Sequence, residues 1–164
     1  MEQVSEEPKS DKGIKVAAFA DRFEAPVKFP VGHIECKISG KDTGGALYVF
    51  ETYAVFEDRP ARHLHPNQDE WFHVLEGEFD FEVGDEKFRL KVGDSIFAPR
   101  KVSHVWAPAG EKPGKMLVVL QPAGKMEEFF RELPKITDKS TRAEIEKLFA
   151  SHDMKVTGPP LARK

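Results

Sequence analysis

Short runs of alternating apolar and polar residues fill the middle of the chain, and Gly, Pro and Asp residues separate them. The longest run, residues 46–56, is rich in the aromatic and β-branched residues that favour strands. Residues 78–83 and 88–92 alternate on either side of a Gly84-Asp85 turn, which predicts a hairpin with one buried and one solvated face. Further strands are predicted at residues 14–19, 33–38, 70–75, 95–98, 102–107 and 115–121. Many short strands with turns between them indicate an antiparallel sandwich or barrel.

The pattern changes to helical spacing after residue 121. A first apolar stripe follows the i, i+3, i+4, i+7 spacing of one helix face and stops at Pro134; it consists of Met126, Phe129, Phe130 and Leu133. Residues 141–144, Thr-Arg-Ala-Glu, resemble a helix-capping box, and helical spacing continues through Ile145, Leu148 and Phe149. We predict two short amphipathic helices packed on the barrel. The chain then divides into a flexible arm (1–12), a barrel (13–122), the helices (123–153) and a tail (154–164).

Composition narrows the class of protein. A chain of 164 residues fits one domain with a sizeable core. Its net charge of −3 comes from interspersed charges without a basic stripe, which argues against binding to nucleic acid. The single cysteine, Cys36, cannot form an internal disulfide, and the acidic first residues lack the apolar core of a secretory signal. No apolar run approaches the length of a membrane span, so we expect a cytoplasmic protein without membrane contact.

Residues 62–77 carry the candidate chemistry. His63 and His65 are two residues apart, and side chains at that spacing on a strand point the same way. Glu70 and the more distant His104 could reach the same point from neighbouring strands. Neutral imidazoles together with one carboxylate make a mixed nitrogen and oxygen site for a divalent transition metal. The alternative is that the histidines are satisfied core or surface residues and that Glu70 is an exposed carboxylate.

The spacing of these residues resembles that of a known family. The first segment reads H-x-H, four residues, E, six residues, G, and the second reads Gly93, five residues, Pro99, four residues, His104. Both are similar to the signature motifs of the cupin superfamily, in particular to small single-domain cupins of the quercetin dioxygenase-like, cupin_2 type. The resemblance covers residues 46–121. Three positions depart from the motifs and put only local loop geometry in question: Glu57, Lys101 and Pro108.

The resemblance implies a fold, a ligand set and an assembly. The fold is all-β, an antiparallel jelly-roll β-barrel (double-stranded β-helix), here with short C-terminal α-helices. The implied metal ligands are His63, His65, Glu70 and His104. The resemblance also implies a homodimer, with the N-terminal strand region as an exchange element.

The residues next to the ligands predict what the cavity would bind. Strand alternation places Phe72 and Val74 on the face of Glu70, and Val102 and Trp106 on the face of His104. If the ligands point inward, these four side chains give the cavity an apolar, aromatic lining that suits a small-molecule substrate chelating through its oxygens. For each of them, plain core packing is the alternative.

The number of ligands also indicates which metal ion the site would bind. Four protein ligands would complete a tetrahedral zinc site, whereas an octahedral ion would keep two positions open for chemistry. We therefore expect Fe(II) or Mn(II), with Ni(II) or Zn(II) as alternatives, because affinity order alone does not decide selectivity.

Three functions are compatible with the sequence. The first is a metal-dependent dioxygenase acting on an enediol, phenolic or flavonol-like substrate, with Glu70 as the base for the substrate hydroxyl. The second is a non-redox isomerase, epimerase or decarboxylase of a small oxyacid or sugar, in which the metal stabilises an enolate. The third is a binding or sensing module without turnover. This scaffold hosts many chemistries, so the fold alone does not choose among them.

Overall fold

The computed structural model describes residues 9–29, 32–54 and 59–162. Within these residues eleven strands and two α-helices are present. The strands are β1 (Val27–Lys28), β2 (Gly32–Ile38), β3 (Tyr48–Ala54), β4 (Arg62–Leu64), β5 (Asp69–Glu76), β6 (Phe79–Val83), β7 (Glu86–Leu90), β8 (Ser95–Ala98), β9 (His104–Pro108), β10 (Gly114–Gln121) and β11 (Lys155–Gly158). The helices are α1 (Met126–Glu132) and α2 (Arg142–Ser151), and short 3-10 turns occupy Gly40–Thr43 and Leu133–Lys135.

The strands form two antiparallel sheets that face each other as a jelly roll, as predicted. The larger sheet has the order β1-β2-β3-β10-β5-β8, and the smaller has the order β11-β4-β9-β6-β7. Several neighbouring strands are distant in sequence, for example β10, which lies between β3 and β5. This interleaving brings residues from well-separated parts of the chain to one interior.

Strand β5 illustrates how the alternation builds the core. Glu70, Phe72 and Val74 are buried between the sheets. Trp71 and His73 have the opposite parity and are half-buried on the outer face, where their rings stack with centroids 5.6 Å apart. The inner face of this strand therefore carries both core side chains and a candidate ligand, and the prediction that His73 faces away from the site is confirmed.

The predicted hairpin is present but is less buried than its pattern suggests. Strands β6 and β7 pair in register from Phe79↔Leu90 to Val83↔Glu86. Phe88 lies opposite the buried Phe81 but at the free edge of the smaller sheet, where it is 39% exposed, and Val92 lies beyond the end of β7 and is 64% exposed. The alternation correctly predicted the strand pair but not which apolar side chains it buries.

The predicted strand at 14–19 is wrong. Residues 14–17 have no strand conformation, and the chain turns at Ala18 and Phe19. Phe19 has a left-handed φ of 59°, which breaks an extended chain, and its side chain is 72% exposed. A short apolar run forms a strand only where a neighbouring backbone can pair with it, and the larger sheet begins instead at β1.

The predicted tail contains a strand. Residues Lys155–Gly158 form β11, which pairs with β4 through Lys155↔Leu64 and Val156↔His63. The tail assignment at 154–164 is therefore wrong for these four residues. Val156 is the only apolar residue of the strand, so alternation could not reveal it; the free edge of β4 supplies the backbone partners.

Both predicted helices are confirmed. Helix α2 begins with the predicted capping box: the Glu144 amide donates to Thr141 Oγ1 (3.2 Å), and the Thr141 amide donates to Glu144 Oε2 (2.6 Å). The helices meet through Phe129 and Phe149, whose ring centroids are 5.0 Å apart. Phe130 packs on Phe50 of β3 at 4.9 Å. The two helices thus lie against the barrel. Neither described helix is long and apolar enough to span a membrane.

A glycine at the turn between β5 and β6 provides a test of close backbone packing. Gly77 has a φ of 73°, and an added Cβ would lie 2.8 Å from Pro113 O and 2.9 Å from Gly114 Cα. We expect Gly77→Ala to lower the free energy of unfolding by about 2–4 kcal/mol, since it combines left-handed strain with a backbone clash. Gly93 has a φ of 91° with nothing within 4 Å, so Gly93→Ala should cost only about 1–2 kcal/mol. Chemical denaturation measures both; equal losses would show that the clash at Gly77 is relieved.

Candidate metal centre

Strands from both sheets bring the four predicted ligands together. His63 lies on β4 and His104 on β9, where the two residues are register partners in the smaller sheet. Glu70 lies on β5 of the larger sheet, and His65 follows directly after β4. All four are buried, and one ligand atom from each lies within 4.8 Å of the others. The convergence that the sequence spacing predicted is therefore present between the sheets.

The atoms at the centre of this cluster lack hydrogen-bond partners. Glu70 Oε2 lies 3.1 Å from His65 Nε2 and 2.9 Å from His104 Nε2. These three atoms are fully buried, yet their geometry satisfies no hydrogen bond among the described residues. Buried polar atoms are normally paired, so unpartnered atoms that converge on one point need a ligand to explain them. Nitrogen and carboxylate donors at this spacing fit a divalent transition metal.

Hydrogen bonds on the far side of two imidazoles set their orientation. His63 Nδ1 lies 2.8 Å from the Ala61 carbonyl oxygen, and His65 Nδ1 lies 3.0 Å from Gln68 Oε1. Both oxygens can only accept, so each Nδ1 carries the hydrogen. The Nε2 lone pair of each neutral ring is then free for a metal, as is usual for metal-binding histidines.

Burial and mutual charge set the protonation of the cluster. Burial, together with the neighbouring His104 and His65, lowers the pKa of His63 to about 3, so His63 is neutral as a ligand requires. Burial alone would raise the pKa of Glu70, but the imidazoles of His104 and His65 outweigh it and hold that pKa below its usual range. For His65, burial opposes protonation, but contact with Glu70 prevails and raises its pKa. A metal ion needs the neutral imidazole of His65, so protons compete with the ion there and its binding strengthens as the pH rises.

The predicted lining residues lie at different places. Phe72 is closest to the cluster, with its ring centroid 5.9 Å from that of His104. Val74 lies two residues further along β5 and is fully buried. Trp106 is half-buried, and its ring centroid lies 5.8 Å from that of Phe79. A role of these three side chains in binding substrate stays a prediction.

Val102 does not share a strand face with His104, so that part of the prediction is wrong. Strand β9 begins at His104, and Val102 lies in the preceding turn, where its amide donates to Pro99 O (3.2 Å). The turn is made by Lys101, which has a left-handed φ of 68° and donates its amide to His65 O (2.8 Å). This is one of the three positions that depart from the family motif. Of the other two, Pro108 ends β9, and Glu57 lies outside the described residues.

Two residues at the centre were not identified from the sequence. Gln68 contacts His65, and its position three residues after that histidine was the only available signal. Phe149 of α2 is 5% exposed and lies over His63, with ring centroids 5.3 Å apart. Its helical spacing predicted a packed side chain, but nothing in the sequence indicated that the packing partner is a candidate ligand. The helices therefore cover the end of the barrel that holds the cluster.

Fold and cluster together define the class: a small double-stranded β-helix with a candidate metal centre between its sheets. Residues 49–120 match the family model of the cupin domain, Cupin_2. The match runs from β3 to β10 and makes this part of the chain similar to the cupin family, and solved structures at 19% and 21% identity share the fold.

Individual relatives are similar over part of their length. SchB of Streptomyces halstedii is 28% identical over 82 residues, which cover 49% of this chain and 59% of that protein. CurC of Streptomyces cyaneus, named as a polyketide synthase, is 27% identical over 82 residues, 49% of this chain and 53% of that protein. The chain thus spans little more than half the length of these curated relatives. The structure of KdgF from Halomonas sp. has a TM-score of 0.55 and 19% identity, covers 66% of this chain and 94% of that one, and shows the fold alone.

Proposed function

We propose that the chain is a metal-dependent dioxygenase for a small organic substrate that chelates through adjacent oxygens. The observation that carries this proposal is the buried, unpartnered convergence of imidazole nitrogens and the Glu70 carboxylate. The Nε2 atoms of His63, His65 and His104 and the Oε2 atom of Glu70 would hold the ion. When bound, the ion supplies Lewis-acid and redox chemistry toward the chelating substrate.

The four-residue ligand set favours a metal ion that takes more than four ligands. An octahedral ion held by one nitrogen from each of three histidines and one carboxylate oxygen keeps two positions for substrate, which supports Fe(II) or Mn(II). Zn(II) or Ni(II) would be the alternatives on isolation. Tetrahedral zinc would have all its positions filled by protein.

Glu70 is proposed first as a ligand and second as a proton acceptor. Its pKa is held below the usual range by the neighbouring imidazoles, so the carboxylate is ionised at neutral pH. An ionised carboxylate can take a proton from a substrate hydroxyl, although a low pKa makes it a weak base.

The surroundings support an aromatic or otherwise apolar substrate. Phe72 and Phe149 present ring faces and edges within 6 Å of the ligand imidazoles, measured between centroids. Such side chains exclude water and stack on planar molecules. The name of CurC also suits this class, since polyketides carry regularly spaced oxygens that can chelate a metal. Assembly as a homodimer and a cytoplasmic location stay predictions.

An oxygen-uptake experiment tests the proposal. Protein purified without affinity nickel is stripped, reloaded with Fe(II), Mn(II), Ni(II) or Zn(II), and assayed in an oxygen electrode with flavonols, catechols and enediols. We expect uptake with Fe(II) or Mn(II), none in His63→Ala, and unchanged uptake in His73→Ala, whose imidazole lies on the outer face. Loaded protein that consumes no oxygen across the panel would overturn the proposal. Oxygen-independent turnover that persists with Zn(II) would instead indicate a non-redox isomerase, epimerase or decarboxylase.

A further inference from the structure

We propose that Gln68 is a positioning residue that fixes His65 in the orientation and tautomer needed to bind metal. The inference rests on the proposed metal site and concerns a residue that does not itself reach the ion. Gln68 is 5% exposed, so its amide must find partners within the protein.

The hydrogen bonds of Gln68 leave one orientation for its amide. Its Nε2 atom donates to the carbonyl oxygens of Pro122 and Ala123, each at 2.9 Å. Because both partners can only accept, the nitrogen must face them and Oε1 must face His65. Oε1 then accepts from His65 Nδ1 at 3.0 Å. The two backbone carbonyls therefore decide which end of the Gln68 amide, Nε2 or Oε1, faces His65.

This arrangement fixes which nitrogen of His65 is available. With the hydrogen on Nδ1, the neutral ring has its lone pair on Nε2, the atom that lies 3.1 Å from Glu70 Oε2 at the centre of the cluster. In the opposite tautomer, the hydrogen on His65 Nε2 would point toward the ion. The lone pair of Nδ1 would then face the lone pairs of Gln68 Oε1. The contact with Gln68 therefore favours the metal-binding tautomer, whereas the Glu70 carboxylate beside Nε2 favours a hydrogen on that atom.

The other two imidazoles are held differently. His63 is oriented by the backbone carbonyl of Ala61, which side-chain substitution leaves in place. His104 Nδ1 is buried without a hydrogen-bond partner among the described residues. Within the described chain, His65 is thus the imidazole of the cluster whose orientation a side chain controls, and mutation can test it directly.

Gln68 is itself held in place by the segment that leads into α1. An added Cβ at Gly124 would lie 2.5 Å from Gln68 Nε2, so the segment packs closely on the amide. Ala123 is anchored in turn, because its amide donates to Gly45 O (3.0 Å). The backbone between β10 and α1 therefore fixes the position of Gln68. Through Gln68 it orients His65, a candidate ligand on the opposite sheet.

Two substitutions at one position separate orientation from packing. Gln68→Met keeps the length of the side chain and removes all three hydrogen bonds. Gln68→Glu also loses both bonds to the Pro122 and Ala123 carbonyls but keeps an oxygen that can accept from His65 Nδ1. The difference between the two variants therefore isolates the contact with His65, and both are expected to be less stable than the parent.

The affinity for Zn(II) and Mn(II) is measured by competition with a chromophoric chelator. Loss of a group that orients a metal-binding histidine typically costs about 10–100-fold in affinity, and we expect that loss in Gln68→Met. Gln68→Glu should bind each ion close to the parent affinity. Parent-like affinity in Gln68→Met, or equal losses in both variants, would overturn the inference.

The tautomer provides a readout that needs neither metal nor activity. Long-range nitrogen–proton NMR spectra of the metal-free protein at alkaline pH distinguish the two forms of His65. We expect a larger fraction of the Nδ1-protonated form in the parent and in Gln68→Glu than in Gln68→Met. An unchanged tautomer in Gln68→Met overturns this role even where the parent consumes oxygen. Conversely, a parent that shows the expected tautomer and affinities but no oxygen uptake contradicts only the dioxygenase.

Discussion

Glu70→Gln will lower the affinity for a divalent metal by more than about 100-fold, because removing a direct ligand should cost more than removing a group that only orients one. Glu70 is the one anionic member of the cluster, so its loss leaves three imidazoles and no charge to balance the ion. The substitution keeps the size of the buried side chain, which limits the effect on packing. Metal content after dialysis and chelator competition measure the change.

A second glutamate on the same strand provides the matched control. Glu76 ends β5 and is exposed, whereas Glu70 is buried between the sheets. Glu76→Gln makes the same chemical change and should leave metal content and affinity at the parent values. If Glu70→Gln also retained the parent affinity while remaining folded, the carboxylate would not be a ligand and the four-residue site would be wrong.

The convergence of the four candidate ligands was predictable from the sequence because it depends on local parity and on a few turns. His63 and His65 point together since strand alternation repeats every two residues. Glu70 then needs only a short loop to reach the facing sheet. His104 is the one distant member, and its register with His63 across β4 and β9 could be expected only from the family spacing.

What the sequence did not reveal depends on long-range packing. Strand β11 exists because β4 has a free edge, a property of the assembled sheet rather than of residues Lys155–Gly158. The apolar run at 14–19 matches a strand pattern but pairs with neither sheet, and the chain turns at Ala18 and Phe19. Gln68 gains its role from carbonyls that are 54 and 55 residues away, which no local pattern encodes.

The position of α2 also depends on long-range packing. A capping box and an apolar stripe are sufficient to predict the helix, because both are local. The surface that the stripe covers is set by the path of the connection from α1, with Phe129 as the contact between the helices. A prediction of helices packed on the barrel was therefore attainable, whereas the contact between Phe149 and His63 required the fold.

Phe149→Ala will both destabilise the protein and expose the candidate metal site. Truncating a buried phenylalanine costs about 3–5 kcal/mol, since apolar contacts are lost and a cavity remains. Phe149 is 5% exposed and its ring lies between those of His63 and Phe129, at 5.3 and 5.0 Å between centroids. Chemical denaturation should show this loss, whereas Phe88→Ala, at a ring already 39% exposed, should cost much less.

The effect on access follows from the exposure of the ligands. His63 is 8% exposed, more than the other three members of the cluster, and the Phe149 ring packs against it, so loss of that ring should expose His63 first. We expect a chelator to remove metal several-fold faster from Phe149→Ala than from the parent, and Phe149→Leu, which keeps an apolar side chain over His63, to lie close to the parent. Metal release at the parent rate from a Phe149→Ala protein that is destabilised as expected would show that the ring only packs the helix. Faster release in that variant alone would show that the Phe149 ring limits access of the chelator to the site.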